Sequence, residues 1–165
     1  MPKDTTYCIL DIETTGFEPE DSDIVELFVL KVKCDSITDE FYSLFKPKHN
    51  INNSEIHGIT NSMVRNSPTF EEKGHEIIKF LNNSVLIGHN INNFDLKFLN
   101  YNLENKLINK TIDTLLLSRS KLQNKVPNHK LKTIAEYFDI TPPTHSARDD
   151  VMTTFGIYKK LISIQ

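Results

Sequence analysis

A chain of 165 residues, 38% hydrophobic and 25% charged, is long enough to close one soluble core without disulfides or a structural metal. Its formal net charge of −3 gives no global basic character, although an enzyme that carries positive charge as bound metal needs none. Met1–Thr6 lacks a signal-peptide apolar region, no run is long enough to span a membrane, and only Cys8 and Cys34 carry thiols, so no structural disulfide is expected and a reducing cytoplasm is.

The first predicted element is a strand over Tyr7–Ile12, which breaks into Glu13-Thr14-Thr15-Gly16. Side chains alternate along a strand, so Asp11 and Glu13 project from one face, where two carboxylates repel each other and call for a cation. A polar loop through Pro19 leads to a second strand over Ile24–Val32, a turn at Cys34-Asp35-Ser36 and a third strand over Glu40–Phe45. Short helices are expected at Ser54–His57, stopped by Gly58, and at Thr60–Val64. Ser67-Pro68-Thr69 opens a longer one with Phe70, Ile77, Ile78 and Leu81 on one side.

Val85–His89 is fully apolar up to Gly88 and predicts a central strand covered on both faces. After a turn at Asn90–Asn93, a helix carries Leu96, Leu99 and Leu103 on one stripe. A fifth strand is expected at Lys110–Asp113, then helices at Leu115–Leu122 and Leu131–Phe138 separated by a basic loop. Ala147–Ile164 is the clearest helix, with Val151, Phe155, Tyr158 and Ile162 at core spacing. Strands first, then helices alternating with strands, predict an α/β sandwich on a mixed five-stranded sheet with helices on both faces.

Asp95 begins a helix after a buried strand, and Asp150 begins the last helix beside His145. Carboxylates delivered at strand–helix junctions converge in α/β folds, and a set of hard oxygen donors suits Mg²⁺ or Mn²⁺ rather than zinc. Alone, each residue has a plainer reading: Asp150 as a helix N-terminal acid, His145 and Asp113 as caps, Glu26 as an edge-facing carboxylate in an apolar strand, His57 as packing in its turn.

Together the residues resemble the DEDDh 3′–5′ exonucleases, the family that includes the proofreading epsilon subunit of bacterial DNA polymerase III. The first motif is similar to Asp11-Ile12-Glu13-Thr14-Thr15-Gly16, the second to Gly88-His89-Asn90 running on to Phe94-Asp95-Leu96-Lys97-Phe98-Leu99, and the third to His145-x-Ala147-x-x-Asp150. Ile56-His57-Gly58-Ile59-Thr60 and Pro68-Thr69-Phe70 extend the likeness over nearly the whole chain. Two departures stand out. Ile91, Asn92 and Asn93 put three residues between His-Asn and Phe-Asp where two are commonest, and Leu27-Phe28 stands where relatives often have an apolar residue and a glycine.

The resemblance implies a ribonuclease H-like fold, a single exonuclease domain over 1–165, and two divalent cations, Mg²⁺ or Mn²⁺, held about 4 Å apart by Asp11, Glu13, Asp95 and Asp150. It implies His145 as general base and 5′-mononucleotides as product. Thr14, Thr15 and Gly16 would enclose the terminal 3′ hydroxyl, with Gly16 allowing the sugar close approach, and His89 and Asn90 would lie against the substrate. Phe94 either stacks on a base or belongs to the core with Phe98, and Lys130 and Lys132 either meet phosphates or form a solvated face. The expected partner is nucleic acid, single-stranded DNA or 3′ ends in preference to RNA, with a DNA polymerase or repair complex as a further candidate and no membrane. The competing readings are an exoribonuclease and a non-catalytic accessory module; the chain's end at Gln165, just past the last helix, favours a free-standing enzyme or a fragment.

Overall fold

The computed structural model describes residues 4–164; Met1–Lys3, part of the polar N-terminal stretch, and Gln165 lie outside the described residues. Five strands form one sheet: β1 (Thr6–Thr14), β2 (Ile24–Lys33), β3 (Ser36–Leu44), β4 (Val85–Gly88) and β5 (Thr111–Asp113), in the order β3-β2-β1-β4-β5. The β1–β2 and β2–β3 pairs are antiparallel, and β4 and β5 join parallel to β1. The mixed α/β sheet expected from the sequence is thus present.

Strand β3 starts earlier than the sequence predicts. Cys34 and Asp35 both adopt positive φ, 50° and 60°, the geometry of a tight hairpin turn, so pairing resumes at Ser36. Its first five residues are exposed and polar-rich at the sheet's edge, which hides them from any search for apolar alternation.

Seven helices flank the sheet: α1 (Ser54–His57), α2 (Asn61–Val64), α3 (Phe70–Leu81), α4 (Asp95–Asn102), α5 (Thr114–Leu122), α6 (Leu131–Tyr137) and α7 (Ala147–Ser163), with a 3₁₀ turn at Gln123–Lys125. Helix α3 begins with a reciprocal capping box between Thr69 and Glu72. The alternation of β1 divides the core. Cys8, Leu10 and Ile12 pack with Phe70, Ile77 and Leu81 of α3 and Phe98 and Leu99 of α4, while Tyr7 and Ile9 pack with Val151, Phe155 and Tyr158 of α7. Within α7 the expected Ile162 is 43% exposed, and Ile157 and Leu161 are buried instead, against Leu122 and Ile134. The helix has neighbours on two sides, the sheet and α6, so its buried arc is wider than a single stripe.

Register places the chemistry. Strand β1 pairs with β4 through Tyr7, Cys8 and Ile9 only, then runs on past the end of β4 while still paired to β2. Continuing the Tyr7–Ile9 alternation puts Asp11 and Glu13 on the α7 face, beyond the carboxyl end of β4. Phe28, at the expected glycine position, lies opposite Asp11, is fully buried under the start of α7, and carries the Arg148 guanidinium 5.4 Å from its ring centre. Phe98, also fully buried, anchors the helix that Asp95 begins. Replacing it by alanine is expected to cost about 3–5 kcal/mol of unfolding free energy, measured by denaturant titration, because the cavity cannot close between a helix and a sheet.

Candidate active site

A pocket of about 360 Å³ opens at the carboxyl end of β1, with Asp11, Glu13, Asp95, His145 and Asp150 in its lining. Asp11 and Glu13 come from the strand, Asp95 from the first residue of α4, and Asp150 from the first turn of α7. The five residues singled out for chemistry are therefore brought together. Their side-chain donors are not equidistant: Glu13, His145 and Asp150 place ligating atoms within 4.8 Å of one another, and Asp11 and Asp95 line the same pocket outside that trio.

The three-residue spacer before Phe94 does not displace Asp95. Asn90, at φ 65°, turns the chain; the Asn93 and Phe94 amides donate to its carbonyl at 3.1 Å, and α4 then starts facing the pocket. Gly88 permits this path, since a Cβ there would come within 2.8 Å of the Ile91 Cβ. Asp113 fixes the turn from below by accepting the backbone N–H of Asn90 at 3.0 Å and of Asn92 at 3.4 Å, besides capping α5 through the Leu115 N–H at 3.0 Å. The expected cap at Asp113 is thus also a clamp on the site.

The electrostatics are those of acids crowded out of water. Burial, then the charges of Asp95, Glu13, Asp150 and Glu26, raise the Asp11 carboxyl well above its ordinary range. Glu13 is pushed up to about 8 by burial and by Asp150, Glu26 and Asp95. Asp95 is pushed up to about 7, chiefly by burial, against hydrogen bonding from its own backbone and that of Ile12. Burial also raises Asp150, opposed by the Thr144 N–H that its Oδ1 accepts at 2.9 Å and by His145. Asp95 Oδ1 is the one buried side-chain oxygen or nitrogen without a hydrogen-bond partner among the described residues. A wholly buried oxygen with an open lone pair, among acids that resist ionising together, fits a divalent cation held by hard oxygen donors.

Glu26 borders the site. It pairs across the sheet with Glu13, is buried, and its Oε2 accepts the Ala147 N–H at 2.9 Å, tying β2 to the start of α7. His145 lies just before that helix, exposed and at φ 61°. His89 is held at both nitrogens, Nε2 donating to the His129 carbonyl at 3.0 Å and Nδ1 lying 3.0 Å from Thr114 Oγ1, and burial lowers its pKa. Its ring lines the pocket as a fixed wall.

Thr14 and Thr15 are occupied in shaping the loop: Thr14 Oγ1 donates to the Gly16 carbonyl at 2.6 Å, and Thr15 Oγ1 accepts the Asp23 N–H at 2.9 Å. A Cβ at Gly16 would meet the Ser22 hydroxyl, which can rotate away, and would lie 3.3 Å from the Ser22 Cβ, so the loop is tight there. Phe94 joins the core edge 5.2 Å from the Phe98 ring centre and also lines the pocket. Lys130 lies in an adjoining groove; Lys132 is exposed on α6 and lines neither cavity.

Sequence reasoning passed over Phe17, which is 81% exposed at the pocket's mouth, a costly position for an aromatic ring and one signalled only by its place after Gly16. It also passed over Asn53, whose amide donates to the Thr14 carbonyl at 2.9 Å and whose Oδ1 meets His57 Nε2 at 3.3 Å. His57, expected to be structural, completes this brace by accepting the Ile59 N–H at 3.1 Å.

A mixed α/β sheet with four carboxylates and a histidine gathered beyond its strand ends has the kind of donor set that metal-assisted phosphodiester hydrolysis uses. Residues 8–158 match the exonuclease family described as RNase T, and the chain belongs to that family. Its relatives include the PolC-type DNA polymerase III of Thermotoga petrophila, 33% identical over 169 residues that span 98% of this chain and 12% of the polymerase. The DNA polymerase III epsilon subunit of Aquifex aeolicus is 32% identical over 166 residues, 96% of this chain and 81% of the subunit. Membership accords with the DEDDh resemblance of the three motifs.

The ribonuclease H-like fold is shared with the ssDNA complex of E. coli exonuclease I, TM-score 0.84 at 17% identity over 98% of this chain and 41% of that one. Exonuclease X in complex with 5′-overhanging duplex DNA superposes with TM-score 0.75 at 22% identity, covering 94% of this chain and 90% of that one.

Acids whose folded pKa lies above the ordinary value hold stability that is complete below the unfolded pKa and lost as pH rises through the folded one. With Glu13 moving from 4.5 to about 8 and Asp95 from 3.8 to about 7, the metal-free protein is expected to lose melting temperature steadily between those limits. Glu13→Gln should flatten the profile, and millimolar Mg²⁺ or Mn²⁺ should raise Tm more at pH 8 than at pH 5, read by thermal unfolding with and without chelator. A profile rising with pH in chelator would refute the crowded-acid account.

Proposed function

We propose that this chain is a metal-dependent 3′–5′ exonuclease that removes 5′-mononucleotides from single-stranded DNA or DNA 3′ ends. The observation that carries the reading is the convergence of Asp11, Glu13, Asp95, Asp150 and His145 on one pocket whose lining also includes Thr14, Thr15 and Gly16. Two divalent cations, Mg²⁺ or Mn²⁺, held by the four carboxylates, would acidify a water and neutralise charge building on the scissile phosphate.

The protein's own groups divide the remaining work. His145 takes the proton of the attacking water; its exposure lets it hand that proton to solvent, and its distance of at most 4.8 Å from carboxylate atoms of Glu13 and Asp150 keeps it beside the reacting centre. The loop from Thr14 to Gly16, pinned by its own hydroxyls and by Asn53, offers backbone groups to the terminal 3′ hydroxyl. Phe17 at the mouth presents a ring on which the terminal base can stack whatever its identity. His89 and Asn90 line the same pocket. A complete acidic set argues against a module that binds without cutting. A cytoplasmic setting and a polymerase or repair partner follow from the replication relatives and belong to the same proposal.

Single strands labelled at the 3′ or the 5′ end, as DNA and as RNA, should be shortened stepwise from the 3′ end with Mg²⁺ or Mn²⁺, DNA faster. Asp11→Ala and Asp150→Ala should abolish the activity, and His145→Ala should lower kcat about 10²–10⁴-fold while keeping the metal-induced rise in Tm. Full activity in any of the three variants would sink the assignment. Phe17→Ala should weaken oligonucleotide binding by about 1–3 kcal/mol in fluorescence anisotropy, with no loss of melting temperature, since the ring supports no packing.

A further inference from the structure

The wall formed by His89 and Asn90 has a second side. The same two residues line a groove of about 440 Å³ whose other side is built from Arg119 on α5 and from Asn128, His129 and Lys130 ahead of α6. The active-site pocket therefore continues over the His89–Asn90 edge into a surface channel. No acidic residue lines that channel, in a chain whose net charge is −3. Arg119 and Lys130 are exposed, and neither is paired with a carboxylate among the described residues. Asp113, which lies beneath, is buried and saturated by three backbone N–H groups.

The channel is also preformed. His89 Nε2 holds the His129 carbonyl at 3.0 Å, Ser118 Oγ lies 3.1 Å from His129 Nδ1, and Asn128 Oδ1 accepts the Lys130 N–H at 3.0 Å and the Thr133 hydroxyl at 2.8 Å. A loop tied at this many points is not free to collapse, so a ligand laid along it loses little to ordering the protein. Two unpaired cations on a rigid, acid-free surface recognise a polyanion by its repeating charge.

We infer that this groove carries the substrate strand on the 5′ side of the scissile bond, with Arg119 and Lys130 on successive backbone phosphates. The inference rests on the exonuclease reading for its direction: that reading puts the terminal nucleotide at Thr14–Phe17, and His89 and Asn90, the residues common to both cavities, are where the strand would pass from one to the other. The contacts are to phosphate, common to DNA and RNA, and carry no base preference. Arg119, 26 residues before the third motif begins at His145, in a helix with no sequence signature, becomes a strand-positioning residue.

The test is anisotropy of 5′-fluorescein oligo(dT) and oligo(U), each with a phosphorothioate at its 3′-terminal linkage, titrated across a salt series. Removing one phosphate contact lowers the slope of log K against log salt by about 0.7 on a single strand, so Arg119→Gln should lose about 0.7 and Arg119→Gln with Lys130→Gln about 1.4. Arg119→Lys should restore the slope, and Lys160→Gln, at the far end of α7, should leave it unchanged. Lengthening the oligonucleotide at its 5′ side from a dinucleotide should tighten binding in the natural protein and not in the double variant. Unchanged slopes, a loss equal to that in Lys160→Gln, or a loss confined to one of the two polymers would overturn the proposal. Reduced slopes in a protein that fails to cut from the 3′ end would overturn the exonuclease reading and leave the groove as a nucleic-acid track.

Discussion

The structure depends on a repulsion. Four carboxylates are gathered in one pocket, Asp95 and Asp150 buried and Asp11 and Glu13 half-buried, and the charges of their neighbours make Asp11 and Glu13 harder to ionise. Nothing about the acids holds them there. What holds them is apolar: Tyr7 and Ile9 against Val151, Phe155 and Tyr158 bind the strand to α7, and Leu10 and Ile12 against Phe98 and Leu99 bind it to α4. Each side chain of that kind contributes about 1.5–3 kcal/mol on burial, so two packed layers outweigh the strain of the cluster. The core is thus set against the site, and a divalent cation is the species that relieves the opposition.

The acids near the pocket fall into two kinds, separated by what they accept. Glu26 takes the Ala147 N–H and Asp113 takes three N–H groups; they brace the start of α7 and the Asn90 turn. Asp11 and Glu13 accept no protein hydrogen bond among the described residues, and one Asp95 oxygen is left open. A buried carboxylate satisfied by amides has its lone pairs committed, whereas one left unsatisfied keeps them for a ligand. Asp150 stands between, with one oxygen on the Thr144 N–H. Composition alone could not separate these roles, because all of them are Asp or Glu and the partners that tell them apart are backbone amides.

The parts of the site legible in the sequence were those whose position follows from local periodicity. Alternation along β1 put Asp11 and Glu13 on one face, and the order of the three motifs tied Asp95, His145 and Asp150 to them. The parts that escaped are long-range. Glu26 reaches Ala147 across 121 positions, and His89 reaches the His129 carbonyl across 40. At Gly16 the near neighbour is the rotatable Ser22 hydroxyl, a contact within the loop that the motif alone did not announce. The exposed half of β3 and the wide buried arc of α7 failed for one reason. Edge position and a second packing partner are tertiary facts that override a single hydrophobic stripe.

The site's asymmetry follows from the same split between apolar anchoring and charge. The strand and α4 deliver their acids next to residues locked into both core layers; Asp95 is 2% exposed, and Asp11 and Glu13 are half-buried. The histidine arrives differently, on the connector before α7, at positive φ and open to solvent. A group that must accept a proton and then release it to bulk water gains from that placement, while groups that must remain charged around a cation gain from the depth. Glu26 joins the two halves: by accepting the first amide of α7 it fixes the distance between the buried acids and the exposed base without spending either. The geometry of the candidate site is therefore controlled by an acid outside the three family motifs, on the strand next to the one that carries Asp11 and Glu13.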